Sequence, residues 1–228
     1  MDFEVLYEDN HILVANKPNN MLVQADTTGD LALEDLAKQY IKIKCNKPGA
    51  VFLNAVHRID RPVSGVVVFA RTSKALTRLN EQFRSKEIKK TYWAIVKNCP
   101  SKESGTLNDY IRRDAQKNKS FVCQKEAKEA KQASLSYRLI ASSENYHLLE
   151  IDLHTGRHHQ IRCQLAHMGC PIKGDLKYGA ARSNKDGGIS LHARSVEFTH
   201  PVTKEIIKII APVPNENLWK EFEKNVTL

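Results

Sequence analysis

The chain has 228 residues, which is enough to bury a substantial core as one large domain or two small ones. Hydrophobic residues make up 41% and charged residues 27%, a balance that excludes disordered and collagen-like proteins. Lys and Arg number 35 against 26 Asp and Glu, and the net charge of +9 favours a polyanionic partner without excluding a merely basic soluble protein.

Neither membrane insertion nor secretion is expected from the hydropathy pattern. No apolar run approaches the roughly 20 residues of a membrane helix, and the acidic N-terminus lacks the regions of a secretory signal. The five cysteines are odd in number and lack the paired spacings of a zinc site. We therefore expect reduced thiols and a cytoplasmic protein.

Segments with the apolar pattern of β-strands dominate the chain. Examples are Ile12 to Asn16, Gly65 to Arg71, Thr91 to Val96, Tyr146 to Leu153 and Glu205 to Ile210. Apolar and acidic residues alternate from Leu149 to Leu153, which predicts a half-buried strand. The continuous apolar run from Val66 to Phe69 predicts a central strand covered on both faces.

Four helices are predicted from the 3.6-residue periodicity. The first runs from Leu33 to Ile41 behind an Asp30 cap, and the second follows Thr72 or Ser73. The third spans His159 to Met168 and ends at Gly169, and the last carries Leu218, Trp219 and Phe222. Because strands and helices do not alternate strictly, we predict an α+β fold with a mixed, mostly antiparallel central sheet and flanking helices. No linker divides the chain, so we expect a single domain over residues 1–228.

The segment from Ser101 to Lys131 is predicted to be the least ordered part of the chain. It is rich in positive charge, with Arg112, Arg113, Lys117, Lys119, Lys125, Lys128 and Lys131. Two interpretations stay open, a solvated loop and a basic flap that binds phosphates.

A first candidate site is HRIDRPVSGVVVFA, from His57 to Ala70. Asp60 lies between Arg58 and Arg61, just before a turn and a buried strand. Flanking cations should keep this carboxylate ionised, as a nucleophile or base requires. A structural ion pair is the alternative use of such an Asp–Arg pattern.

A second candidate site is HTGRHHQIRCQLAHMGCPIKGDLKYG, from His154 to Gly179. Gly156 permits a sharp turn, and the helix that follows offers backbone donors and a positive dipole to an anion. Arg157 lies at that end and Arg162 about one turn further. The histidines of this segment are possible metal ligands. However, Thr155-Gly156 interrupts the helix that would align them, and no carboxylate is close in sequence, so no metal is expected.

A tyrosine lies between the two candidate sites, in KKTYWAIV from Lys89 to Val96. Tyr92 shares one strand face with Ala94, and Trp93 points to the other face. A tyrosine in this position stacks on a base or serves as a core residue with a bonded hydroxyl.

These three motifs, in this order and with these gaps, resemble those of the RluA-type pseudouridine synthases. The opening VLYEDNHILVANKPNNMLV and the later LHARSVEFTHP extend the resemblance from about Val5 to Pro214. The resemblance implies the pseudouridine synthase fold and an enzyme that isomerises uridines in structured RNA, ribosomal or transfer RNA, by base flipping. It implies no cofactor and no metal, and we expect a monomer.

The resemblance also implies roles for individual residues. Asp60 is expected to attack ribose C1′ or to remove the 2′ proton, and Arg58 to enter the base stack when the uridine flips out. Tyr92 is expected to pack on the flipped uracil and Arg162 to pair with Asp60. Ile161 forms an adjacent wall, and Arg157 is a further candidate for binding the substrate.

The chain departs from the family pattern at three positions. Val63 replaces the usual threonine before Ser-Gly, Asn20 replaces a common glycine, and His158 replaces a common Thr or Ser. Asn tolerates the left-handed conformation, so the turn at Asn20 can survive. Many relatives carry an N-terminal S4 RNA-binding domain; because the resemblance starts by Val5, none is expected here, and RNA recognition should fall to the catalytic domain.

Two competing functions stay open. A non-catalytic RNA-binding protein on the same fold would not need Asp60, Tyr92 and Arg162 together. A glycoside-bond hydrolase would need a second acidic residue at a defined distance. Asp175 is the nearest candidate for that second acid.

Overall fold

The computed structural model describes residues 3–227, which contain eleven strands and four helices. In chain order they are β1 (Glu4–Glu8), β2 (Ile12–Lys17), α1 (Leu33–Lys44), β3 (Asn54–Ala55), β4 (Ser64–Ala70), α2 (Ser73–Ser85), β5 (Lys89–Val96), β6 (Ser104–Asp114), β7 (Lys119–Cys123), β8 (Lys131–Ser142), β9 (His147–Leu153), α3 (Gln160–His167), β10 (Leu191–Thr199), β11 (Ile206–Ile210) and α4 (Asn217–Thr227). The predicted α+β class is confirmed. None of the helices within residues 3–227 is long and apolar enough to cross a membrane.

The described chain forms two compact units. The first contains the residues up to Ile88 together with Ala193–Pro212, and the second contains Lys89–His192 together with the residues from Val213 onward. The backbone passes between the units three times, so neither unit is one continuous segment. A single domain over residues 1–228 stays a prediction.

The first unit is built on strands in the order β1-β2-β4-β10, with β3 paired to β4 and β11 paired to β10. The pairs β1–β2, β2–β4, β3–β4 and β10–β11 are antiparallel. Every residue of β4 is buried, which confirms the predicted central strand. Helix α2 packs Ala75 and Leu79 on the apolar face that Val66 and Val68 share. Of the two residues that the sequence left open, Thr72 is the one that caps this helix, by accepting a hydrogen bond from the Ala75 amide.

The second unit contains a five-stranded antiparallel arrangement in the order β5-β9-β8-β6-β7. On one face, Trp93 and Ile95 of β5 pack with Trp219 and Phe222 of α4. Helix α3 is short, and its Cys163 packs against Ile111 of β6 in a separate apolar cluster.

Two predictions about local structure were wrong. Ser101–Lys131 is not irregular, because it forms β6 and β7 and the start of β8. Its charged residues obscured the strand pattern, and the pairing of β6 with β7 and β8 supplies the hydrogen bonds that the local sequence does not suggest. Asp30 does not cap α1, whose N-cap is Ala32 without a side-chain bond. Instead, the Asp30 carboxylate accepts a hydrogen bond from Arg61.

Candidate active site

Asp60 lies in the loop that leads into β4, in the first unit. The Val63 amide donates to the Asp60 carbonyl at 3.0 Å, which closes a turn immediately before the strand. Asp60 is partly buried and Arg58 is exposed. Gly65 follows with a φ of +115°, and a Cβ there would lie 2.3 Å from the Ala193 carbonyl oxygen. The close approach of β10 therefore demands glycine and holds the end of the Asp60 loop.

Lys17, at the end of β2, is hydrogen-bonded to the same loop through the Arg61 carbonyl. Its side chain is fully buried, and its Nζ donates to the carbonyl oxygens of Pro18, Met21 and Arg61 at 3.0, 2.8 and 3.0 Å. Burial lowers the pKa of Lys17 to about 7, against the Asp60 carboxylate, which raises it. Sequence reasoning missed this residue. The feature that could have revealed Lys17 is a lysine at the end of an otherwise largely apolar strand, because a charged side chain is rarely buried unless it is paired.

We expect replacement of Lys17 by methionine to lower the unfolding free energy at pH 7 by about 1–3 kcal/mol, because three buried carbonyls lose their donor. Between the folded pKa of about 7 and the ordinary value of 10.5, only the unfolded state holds the lysine proton. The parent should therefore gain stability over the variant by up to about 1.4 kcal/mol per pH unit across that range. Urea unfolding of both proteins in steps from neutral pH upward measures this gain. A constant difference would show that the ammonium stays charged.

Arg61 ties the Asp60 loop to the preceding loop of the chain. Its Nε donates to the Asn20 carbonyl at 3.2 Å, and its Nη1 pairs with the Asp30 carboxylate at 2.6 Å. Asn20 has a φ of +62°, so the expectation that asparagine preserves this left-handed turn is confirmed. Both partners of the ion pair are about half exposed, and the pair contributes little to stability on its own.

Tyr92 lies on β5 in the second unit and is buried, opposite Ile151 of β9. Trp93 packs on the other face of the strand with α4, so the predicted orientation of the two aromatic residues is confirmed. Lys90 lies on the same face of β5 as Tyr92. The Nζ of Lys90 is 3.8 Å from the position that a Cβ at Gly156 would occupy. Burial lowers the pKa of Lys90.

Arg162 lies in the first turn of α3, whose N-cap is His159 in the left-handed conformation. Its guanidinium is buried and makes a two-pronged ion pair with Asp175, with Nε at 2.7 Å from one carboxylate oxygen and Nη2 at 2.8 Å from the other. The ring of Tyr178 lies 5.1 Å from the guanidinium carbon. Ile161 is also buried, whereas Arg157 is exposed and donates from Nε to the Gln132 carbonyl. Sequence reasoning missed both partners of Arg162.

His158 and His159, at the start of α3, connect this helix to β7. The two imidazole rings stack with their centroids 3.8 Å apart. His158 contacts the Ser120 hydroxyl through Nδ1 at 2.9 Å and Oδ1 of Asn118 through Nε2 at 3.1 Å. Burial, aided by the Arg162 cation, lowers the pKa of His159 to about 2, so this ring is neutral at physiological pH. Across residues 3–227, no group of three His, Cys, Asp or Glu side chains is placed to hold a metal.

The predicted site residues fall into two sets. Arg58 and Asp60 share one loop of the first unit, and the second unit contains Tyr92 together with Arg157, Ile161 and Arg162. Ion pairing of Arg162 with Asp60 stays a prediction, as do the roles of the individual residues. The described contacts of Arg162 add Asp175 and Tyr178 to the set.

Residues 11–167 match the family model for RNA pseudouridylate synthase. The ribosomal large subunit pseudouridine synthase C of Buchnera aphidicola is 33% identical over 230 residues, which cover 97% of this chain and 70% of that protein. The tRNA pseudouridine synthase C of Vibrio vulnificus is 31% identical over 245 residues, which cover 99% and 97%. Human RNA pseudouridylate synthase domain containing 4 shares the fold, with a TM-score of 0.78 and 24% identity over 98% of this chain and 92% of that one. The chain therefore belongs to the RNA pseudouridylate synthase family of isomerases.

Proposed function

We propose that this protein isomerises selected uridines of ribosomal or transfer RNA to pseudouridine, with Asp60 acting at the ribose. One observation carries the proposal: the segment that matches the family model contains Asp60, Tyr92 and Arg162 together. The names of two relatives, one for the ribosomal large subunit and one for tRNA, support both RNA classes as candidates.

In the proposed reaction, the bond between ribose C1′ and uracil N1 breaks, and a new bond forms between C1′ and C5. The C5 proton leaves and N1 gains a proton, so atoms balance without a co-reactant. Asp60 either attacks C1′ and is later displaced, or removes the 2′ proton and returns it. The loop that carries Asp60 is held by the turn bond to Val63 and by the close packing at Gly65, which supports the fixed geometry that either role needs.

Base flipping is part of the proposal, because a stacked uridine hides both C1′ and C5. Extrusion costs a few kcal/mol, and stacking of the uracil on Tyr92 would return roughly 1–3 kcal/mol. Arg58 is exposed two residues from Asp60, which supports a role in filling the gap that the flipped base leaves. Arg157 is exposed at the start of α3 and is suited to contact a phosphate.

Arg162 is proposed to pair with the Asp60 carboxylate and orient it, beside a wall formed by Ile161. A buried guanidinium stays charged because its pKa is too high for burial to neutralise it. In a water-poor site such a cation stabilises a neighbouring carboxylate far more than it would in bulk solvent. The burial of Arg162 supports this role.

Hydrolysis of a glycosidic bond is the less favoured alternative. Asp175 is the nearest candidate for the second acid that hydrolysis needs, but both oxygens of this buried carboxylate accept hydrogen bonds from Arg162. With both oxygens engaged in this ion pair, Asp175 is poorly placed to act as the general acid of a hydrolase. Release of free uracil would support hydrolysis against isomerisation.

The direct test is to incubate the purified protein with unmodified ribosomal and transfer RNA transcripts and to map pseudouridine in each. Pseudouridine at defined positions, without free uracil, is the expected result. RNA that is bound tightly but never modified would instead support the competing RNA-binding protein. The Asp60→Asn variant, incubated with the same transcripts, controls for contaminating enzymes.

The basic residues around β7 are proposed to contact RNA phosphates. Lys117, Lys125 and Lys128 are exposed, whereas Lys119 lies over the rings of Phe121 and Tyr178 and has a packing role. We expect replacement of the three exposed lysines by glutamine to weaken RNA binding. The log–log slope of affinity against salt should flatten by up to about 0.7–0.9 per lost phosphate contact.

The matched control replaces Lys102, Lys220 and Lys224, three exposed lysines of the same unit, so that the change in net charge is equal. Filter-binding titrations across a salt series give both slopes. Equal slopes for the two triple variants would show that the residues around β7 act only through net charge.

The proposal includes a monomer in the cytoplasm. All five cysteines have free thiols, which supports a reducing compartment. Light scattering on the purified protein tests the monomer, and fractionation of expressing cells tests the compartment.

A further inference from the structure

We propose that Asp175 and Tyr178 are positioning residues of the reaction, because they fix the plane and direction of the Arg162 guanidinium before RNA binds. The inference rests on the proposed function of Arg162. Neither Asp175 nor Tyr178 is proposed to touch the uridine.

The ion pair of Arg162 and Asp175 has the geometry that orients a guanidinium. The carboxylate meets the side that carries Nε and Nη2, at 2.7 and 2.8 Å, so two parallel bonds prevent rotation of the planar group. The side chains are 5% and 1% exposed. In such surroundings an unpaired arginine is strongly unfavourable, so the pair persists whether or not substrate is present.

Asp175 is itself held in a tight turn. Its amide donates to the Ile172 carbonyl, and its own carbonyl accepts from the amides of Tyr178 and Ala180, each at 3.0 Å. Gly174 has a φ of +87°, and a Cβ there would lie 2.7 Å from the Asn184 side chain. The backbone that presents the carboxylate therefore has little freedom to move.

Tyr178 supports the guanidinium from another direction. Its ring centroid lies 5.1 Å from the Arg162 guanidinium carbon, and its hydroxyl accepts a hydrogen bond from the Ser120 amide at 2.8 Å. The same hydroxyl contacts Nδ1 of His159 at 3.0 Å. Arg162 is thus connected through one tyrosine to β7 and to the start of its own helix.

The alternative is a purely structural ion pair that stabilises the second unit and has no effect on chemistry. The test separates the two with Asp175→Asn, which keeps the shape of the side chain and removes its charge. Single-turnover rates at saturating RNA measure chemistry, RNA titration measures affinity, and thermal unfolding measures stability. We expect the rate to fall about 10- to 100-fold with affinity little changed, because a misaligned group loses this order of rate.

A double-mutant cycle shows whether Asp175 acts through Arg162. In the Arg162→Met background, Asp175→Asn should add no more than about a twofold further loss of rate, because the group that it orients is absent. A structural role predicts losses of rate that multiply in the double variant.

If Asp175→Asn does not fold, variants of Tyr178 test whether the orientation of the Arg162 guanidinium affects the rate. Tyr178→Phe keeps the ring over Arg162 and Tyr178→Leu removes it, so the leucine variant should turn over about tenfold more slowly than the phenylalanine variant. Equal rates would overturn the inference, as would a parental rate for folded Asp175→Asn alongside an inactive Arg162→Met. A parental rate for Arg162→Met itself would instead overturn the proposed role of Arg162.

Discussion

Replacement of Asp60 by asparagine should abolish pseudouridine formation while leaving folding and RNA affinity almost unchanged. The amide is close in size to the carboxylate, and Asp60 is only partly buried, so the surrounding loop can keep its turn. The amide cannot act as the nucleophile at C1′ or as the base at the 2′ position. Single-turnover assays with saturating RNA, together with RNA titration and thermal unfolding, measure these effects.

The matched control is Asp26→Asn, which makes the same chemical change at an exposed residue of the same unit. This variant should turn over at the parental rate. Activity of Asp60→Asn within about tenfold of the parent, or roughly 1.4 kcal/mol of barrier, would remove Asp60 from the central role.

Replacement of Arg162 by methionine should inactivate the enzyme by disturbing Asp60 rather than by loosening the RNA. Methionine keeps much of the side-chain volume but removes the cation, so Asp60 would lose the group that is proposed to hold and orient its carboxylate. The single-turnover rate at saturating RNA should therefore fall, with RNA affinity little changed. Single-turnover assays with RNA titration in parallel measure both.

The ion pair with Asp175 makes folding the necessary control for this variant. Arg162→Met leaves a buried carboxylate without its partner, which costs about 3–5 kcal/mol when one member of a buried pair is removed. The double variant Arg162→Met/Asp175→Asn removes that charge as well and should regain stability without regaining activity. A loss that lies wholly in RNA binding, with the saturated rate unchanged, would show that Arg162 is a phosphate contact.

Local patterns in the sequence were sufficient for much of the fold. The buried run in β4 and the alternation in β9 each depend on residues within one element, and each was predicted correctly. The motifs around Asp60, Tyr92 and Arg162 identified the family for the same reason, because each is a short continuous segment. The charged strands β6 and β7 were missed because their charged residues obscure the strand pattern and because pairing with each other and with β8 stabilises them.

By itself the sequence determined the family, the fold class and the side chains that carry the proposed chemistry. Only the tertiary structure decided what surrounds those side chains. Lys17 reaches the carbonyl of Arg61 across 44 residues, and Arg162 pairs with Asp175 across a turn after α3. Both side chains are buried hydrogen-bond donors, and a buried donor is stable only where folding supplies its acceptors. Which acceptors it meets depends on the path of the backbone, which no local pattern of residues specifies.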